Sequence, residues 1–109
     1  MDSFVESLLP SIKVTLRRAS DEFDEEISSY IETAATDLQG AGILSSYFVP
    51  DSQGRVDPQI RQAVRWYCLS VFGLYNEDME KYAKAYASLK STLATQRKYT
   101  ELEDNYETN

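Results

Sequence analysis

The chain contains no histidine, so the side chain most often used as a general base or metal ligand is missing from all 109 residues. Ser-His and Cys-His nucleophile systems are therefore excluded, and most zinc sites with them. Paired carboxylates could still serve glycoside hydrolysis or magnesium binding. Those present cluster at predicted helix starts, such as Asp24, Glu25 and Glu26, and near the C-terminus. Helix capping and solvation explain these positions, so the sequence predicts no enzyme, no cofactor and no metal.

The single cysteine, Cys68, lies in an apolar run beside Tyr67 and Val71, with no neighbouring base to lower its pKa. We therefore expect Cys68 to be a buried structural residue. Because a single cysteine excludes an intramolecular disulfide, we expect the protein to be synthesised in a reducing compartment. The four glycines are scattered and match no phosphate-binding loop. No apolar run approaches the ~20 residues of a membrane span, and Met1-Asp2 lacks the basic start of a secretory signal. The sequence predicts neither export nor membrane insertion.

The balance of charge weighs against general nucleic-acid binding, which depends on Lys and Arg neutralising phosphates. With 11 basic and 18 acidic residues, the formal charge is −7. Arg61 and Arg65 stand one helical turn apart, as in a DNA-recognition helix, but on so acidic a chain we expect them at a protein contact.

The eight tyrosines are informative, because tyrosine is favoured where one end of a side chain is buried and the other is wet. Most lie on predicted helical stripes and are expected in the core or at its rim. Tyr47, Tyr99 and Tyr106 lie outside those stripes, so we expect them to contact partners. The candidate contact residues are Tyr47, Phe48, Arg55, Arg61 and Arg65.

Apolar residues recur at steps of three and four in four segments, which predicts an all-α fold with a compact four-helix domain over residues 1–98. The predicted helices cover residues 8–18, 21–40, 57–75 and 78–97. Pro10 sets the start of the first helix, and Ser20 or Asp21 caps the second. Asp57-Pro58 begins the third, which is apolar enough to lie centrally.

Between the second and third helices the periodicity fails. Gly40 and Gly42 end the second helix, and residues 43–56 are predicted to form a long arm or hairpin. This connection is long for a helical domain, and such connections are often functional. Residues 99–109 are acidic and are predicted to form a C-terminal tail outside the domain.

Three stretches, in this order, resemble the head-tail connector or adaptor family of tailed bacteriophages. They are LLPSIKVTLRRASDEF (8–23), DEEISSYIETAATDL (24–38) and DPQIRQAVRWYCLSVFGLYN (57–76). Each is a helix-and-cap pattern without a catalytic signature. The resemblance therefore rests on their order and spacing, and it covers most of residues 8–97.

The resemblance implies a structural subunit that assembles head to tail into a closed ring, usually of twelve copies in the family. Such a ring lies beneath the portal protein, extends the DNA channel, precedes a stopper or tail protein, and lets DNA pass without sequence-specific binding. The implied location is the head-tail interface of the virion, reached from the host cytoplasm during assembly. By the same resemblance, residues 43–56 form a contact arm, and Tyr99, Leu102 and Tyr106 face the portal.

A different class of function fits the same amphipathic pattern, namely a small helical regulator that binds a protein or DNA partner as a dimer. Oligomeric state separates the two hypotheses. An adaptor forms large annular particles, whereas a regulator forms a stable dimer that shifts a specific DNA fragment.

Overall fold

The computed structural model describes residues 2–72 and 78–102 of the chain. These residues form five α-helices and two short 3-10 turns, without any strand. The helices are α1 (Asp2–Leu16), α2 (Asp24–Gly40), α3 (Pro58–Val71), α4 (Met79–Ala94) and α5 (Arg97–Thr100), and the 3-10 turns are Asp21–Phe23 and Ser45–Phe48. The all-α class predicted from the sequence is confirmed.

Helix α3 lies at the centre of the bundle, since α1, α2 and α4 all pack against it. Its apolar stripe is shielded from solvent along the whole helix, through Ile60, Ala63, Val64 and Cys68. Helices α1 and α2 also pack against each other, and α4 makes an extensive contact with α3. The central position predicted for the third helix agrees with this packing.

Helix α1 begins at Asp2, well before the start near residue 8 that Pro10 suggested. A proline inside a helix removes the bond to the carbonyl four residues earlier, here that of Glu6. Both Pro10 and Glu6 are on the exposed face, where water can bind that carbonyl. Phe4 and Val5 extend the buried stripe of α1 by a full turn, so the burial of these side chains outweighs the lost bond.

The corners after α1 and α2 use the same helix-ending motif. After α2, the Gly42 N–H donates to the Gln39 carbonyl and the Ile43 N–H to the Leu38 carbonyl, with Gly42 at φ 109°. After α1, the equivalent position with φ 59° is occupied by Arg17. The end of α2 before Gly42 was predicted. At the end of α1, the left-handed backbone conformation of Arg17 costs about 1 kcal/mol.

The start of α2 differs from the prediction that Ser20 or Asp21 caps it. A 3-10 turn over Asp21–Phe23 precedes the helix, and no side chain caps either element. The carboxylates of Asp21 and Asp24 bind Lys13 instead, with Nζ–Oδ1 distances of 3.0 and 2.8 Å. This ion pair holds the end of α1 against the start of α2.

Residues 43–56 form the long connection between α2 and α3, which turns back on itself at residues 51–55 and packs against the core. Ile43, Phe48 and Val56 are 3–5% exposed and belong to the core. A side-chain turn at Asp51, whose carboxylate accepts from the Gln53 and Arg55 N–H groups, reverses the chain. Three apolar side chains along the segment face inward, so it follows the domain surface.

Asp57 caps α3 as predicted, its Oδ1 accepting from the N–H groups of Gln59 and Ile60 at 2.9 and 3.2 Å. The helix ends at Val71 because Phe72 is extended, and the predicted end at residue 75 lies outside the described residues. Helix α4 ends at Ala94, three residues before the prediction. An extended Gln96 then turns the chain into α5, which places Tyr99 in the core.

Candidate functional site

The one thiol of the chain is not a reactive group. Cys68 is fully buried on α3, and burial raises the pKa of its thiol to about 12. Only a thiolate is a good nucleophile, so this side chain is inert at neutral pH. Within residues 2–72 and 78–102, acidic and thiol side chains form no group of three or more that could hold a metal ion. None of the helices described there is long and apolar enough to span a membrane.

Two open grooves flank the 3-10 turn Ser45–Phe48, and together they form what we call the Tyr47 surface. The first groove has a volume of about 580 Å³ and is lined by Leu44, Ser46, Tyr47, Arg97, Lys98, Glu101 and Leu102. The second has a volume of about 470 Å³ and is lined by Ser46, Tyr47, Val49, Asp51, Arg55, Val56, Asp57, Pro58 and Arg61. Val49 and Leu102 are 66% and 72% exposed, so each groove carries an accessible apolar side chain.

Tyr47 forms the wall between the two grooves. Its hydroxyl donates to the Lys98 carbonyl at 2.8 Å, and its ring lies 4.7 Å from that of Tyr99. The Tyr99 hydroxyl donates to the Asp57 carboxylate, with oxygen distances of 3.0 and 3.1 Å. The Leu44 N–H donates to the Tyr99 carbonyl at 2.8 Å. The surface is therefore held rigidly to the start of α3 and to α5.

Three of the five predicted contact residues line the Tyr47 surface: Tyr47, Arg55 and Arg61. The Arg55 guanidinium is 70% exposed and pairs with Asp51 at 3.2 Å. Hydrogen bonds from the Arg55 backbone, and less strongly from Gln53, hold the pKa of the Asp51 carboxyl below its usual value. Arg65 lies apart, half-buried along α3, where it donates to Gln62 at 2.6 Å.

Two predicted contact residues are core residues. Phe48 is 4% exposed and packs edge-to-face on Phe4, with 5.3 Å between ring centroids. Tyr99 is 1% exposed, so its prediction as a portal-facing tail residue is wrong for the folded chain. Both predictions failed because the partners of these rings lie far away along the chain. Leu102 is accessible, and Tyr106 lies outside the described residues.

A third groove, which we call the α1 groove, was not predicted. It has a volume of about 690 Å³ and is lined by Leu9, Pro10, Lys13, Val14, Arg17, Arg18, Ala19 and Asp24. Val14 is 77% exposed and lies off the buried stripe of its helix. An apolar residue off the stripe, followed closely by two arginines, was the available sequence signal.

The charges at the α1 groove are held in place. Asp24 first, and then Asp21, raise the pKa of the Lys13 ammonium above its usual value. The Arg18 guanidinium lies 5.6 and 5.5 Å from the ring centroids of Phe23 and Phe72. Neither Arg17 nor Arg18 forms an ion pair with another described residue. The groove therefore has a net positive rim.

A polar contact fixes α4 to α2 on the far side of the bundle. Asp37 Oδ2 accepts from the Tyr86 hydroxyl at 2.5 Å and from Lys90 Nζ at 2.9 Å. The bond from Tyr86, and then that from Lys90, lowers the pKa of the Asp37 carboxyl. Burial, and then the bond to Asp37, raises the pKa of Tyr86 well above its ordinary value. The shifted pKa values of Asp37 and Tyr86 are therefore explained by a contact that holds two helices together.

Open grooves with exposed apolar side chains, on a helical scaffold, are typical of proteins that bind other proteins. The chain belongs to the phage connector protein family, which it matches over residues 8–100. This is a family of structural proteins of the phage head-tail junction, so the predicted connector-type structural role is confirmed. No curated protein and no solved structure matches the chain.

Proposed function

We propose that the chain is a non-enzymatic adaptor subunit of a head-tail connector. Twelve copies form a closed ring beneath the portal, extend the DNA channel and contact a stopper or tail protein on the other side. The protein is assembled in the host cytoplasm and resides at the head-tail interface of the virion. Family membership over residues 8–100 supports this general role, and the distribution of surface features supports the ring.

The observation that carries the ring is the presence of two different grooves at opposite ends of α2, each with an accessible apolar side chain. The α1 groove, with Val14 accessible, includes Asp24 at the start of α2. The first groove of the Tyr47 surface, with Leu102 accessible, begins at Leu44, just past the end of α2. A head-to-tail ring requires such a pair, because one surface of each copy binds a different surface of the next.

The charge distribution favours a wall along which DNA slides. Residues 19–54 contain eight of the 18 acidic residues and none of the 11 basic ones. On α2, carboxylates such as Glu25, Glu26 and Glu32 are exposed. Arg61 and Arg65 are half-buried on a helix that three others cover, which does not suit a recognition helix entering a DNA groove.

We assign the portal contact to the second groove of the Tyr47 surface, where Arg55 and Arg61 provide charge beside the apolar Val49. Arg55→Glu reverses an exposed charge in this groove and should weaken portal binding by about tenfold or more. Lys84→Glu is a matched control, because both residues are exposed cations in ion pairs with a carboxylate four residues away. The control should bind as the unchanged protein does.

The test combines the purified chain with portal rings of its phage. Annular particles in electron micrographs, with a mass from light scattering that corresponds to about twelve added copies, are expected. A chain that remains apart from portals would refute the proposal. So would a stable dimer that shifts a specific DNA fragment, which would establish the regulator instead.

A further inference from the structure

The α1 groove combines an apolar wall with basic side chains that lack ionic partners. Leu9, Pro10 and Val14 supply the apolar wall, and Arg17 and Arg18 lie at the rim. Neither arginine is paired with an acidic residue in the described parts of the chain. The complementary ligand is a segment with one apolar anchor followed by carboxylates.

Arg17, at the end of α1, has a strained backbone conformation. Arg17 adopts φ 59° at a helix end, and the equivalent position after α2 is occupied by Gly42. Glycine would remove a strain of about 1 kcal/mol, so folding alone does not explain an arginine here. A guanidinium that binds a ligand accounts for it.

The chain itself contains a segment of the required chemistry. Leu102 is 72% exposed and is followed by Glu103 and Asp104. Lys and Arg are absent from residues 102–109. The preceding carboxylate, Glu101, is already paired with Arg97 at 2.9 Å, so the segment that is complementary to the groove starts at Leu102.

Distance excludes the groove of the same copy. Leu102 and the α1 groove lie at opposite ends of α2, whose 17 residues span about 25 Å. Two further residues extend the chain by at most about 7 Å, so Glu103 and Asp104 cannot reach Arg17 of their own copy. A second copy placed head to tail brings the two together.

We propose that the α1 groove of one copy binds the segment beginning at Leu102 of its neighbour in the ring. Leu102 packs beside Val14, and Glu103 and Asp104 pair with Arg17 and Arg18. This inference rests on the proposed adaptor function and specifies the contact that closes the ring. The same segment would bind the portal in the assignment implied by the family resemblance, and the experiment separates these two partners.

Disulfide cross-linking in particles assembled on portal rings tests the contact. The double variant Val14→Cys with Leu102→Cys should give a ladder of covalent oligomers after mild oxidation. Cys68 is fully buried and does not react in the folded protein. The control combines Val14→Cys with Val49→Cys, since Val49 is 66% exposed but lies outside the proposed contact. It should give no ladder.

Any of three outcomes would refute the proposed contact between neighbouring copies. They are a cross-link from Leu102→Cys to the portal, a cross-link within one copy, and equal ladders in both double variants. Annular particles in any of these cases would leave the adaptor function intact. If the unchanged chain forms no annular particles, the adaptor function fails. Mixing the two single-cysteine variants still tests the contact, through the presence or absence of a covalent dimer.

Charge reversal provides a second test without cysteines. Arg17→Glu should weaken assembly by about tenfold or more, and adding Glu103→Arg with Asp104→Arg should restore much of it. Lys84→Glu, which changes another exposed cation elsewhere on the chain, should have no effect. Unimpaired assembly of Arg17→Glu, or no rescue by the reversed segment, would contradict the proposed pairing.

Discussion

Shortening the chain from residue 102 to residue 98 should remove a large part of its stability. The shorter chain lacks Tyr99, whose 1% exposed ring packs on Tyr47 and whose hydroxyl donates to Asp57 at 3.0 Å. Deleting a buried aromatic side chain costs about 3–5 kcal/mol, and losing a hydrogen bond to a charged acceptor by itself costs about 1.5–3 kcal/mol. Domains of this size are stable by only about 5–15 kcal/mol, so the loss is easily measured.

Urea unfolding followed by circular dichroism is the assay, with the chain ending at residue 102 as reference. At a slope of about 1–2 kcal/mol per molar urea, the chain ending at residue 98 should unfold about 2 M earlier. Tyr99→Phe keeps the ring and loses one hydrogen bond to a carboxylate, so its midpoint should fall by about 1–2 M, less than that of the shortened chain. Equal midpoints for the two chain lengths would refute the assignment of Tyr99 to the core.

Three further predictions concern backbone strain and pH. Arg17→Gly should stabilise the isolated chain by about 0.5–1 kcal/mol in thermal unfolding, whereas Arg17→Ala, which keeps the strained backbone, should not. The lowered pKa of Asp37 stabilises the fold above about pH 4, and this contribution is lost as the pH falls through the folded pKa. The stability difference between the unchanged chain and Asp37→Asn, about 1 kcal/mol at neutral pH, should therefore shrink as the pH falls below about 4 in urea titrations. The pKa of Tyr99 is raised to about 12, so its stabilisation is complete below about pH 10 and is lost as the pH approaches 12. Tyrosinate absorbance and circular dichroism should change together there, and less so in Tyr99→Phe.

The helix starts, helix ends and apolar stripes that depend on residues close together in the sequence were predicted well. The stripe of α2 needs only a repeat of three and four, and its stop at Gly42 needs only a glycine in the right place. The Asp57-Pro58 start of α3 depends on backbone groups two and three residues away. In each case the decisive contacts lie within one helical turn.

Features decided by distant residues were missed. The rule that proline ends helices gave the wrong start for α1, because the burial of Phe4 against Phe48 was not foreseeable from either segment alone. Tyr99 looked like a tail residue because its acceptor, Asp57, lies 42 residues earlier. The α1 groove combines α1 with the start of α2, so Val14 gave only a faint signal in the sequence.

The buried position of Cys68 allows its thiol to report on opening of the helical bundle. A thiol that is fully shielded on the central helix reacts with an external disulfide only when the surrounding helices separate. Its labelling rate, measured without any substitution, therefore reports the population of the opened state. Incorporation into a ring should slow labelling by the factor by which binding shifts the equilibrium from the opened to the folded form. Folding and assembly can thus be followed together through one native atom, Sγ.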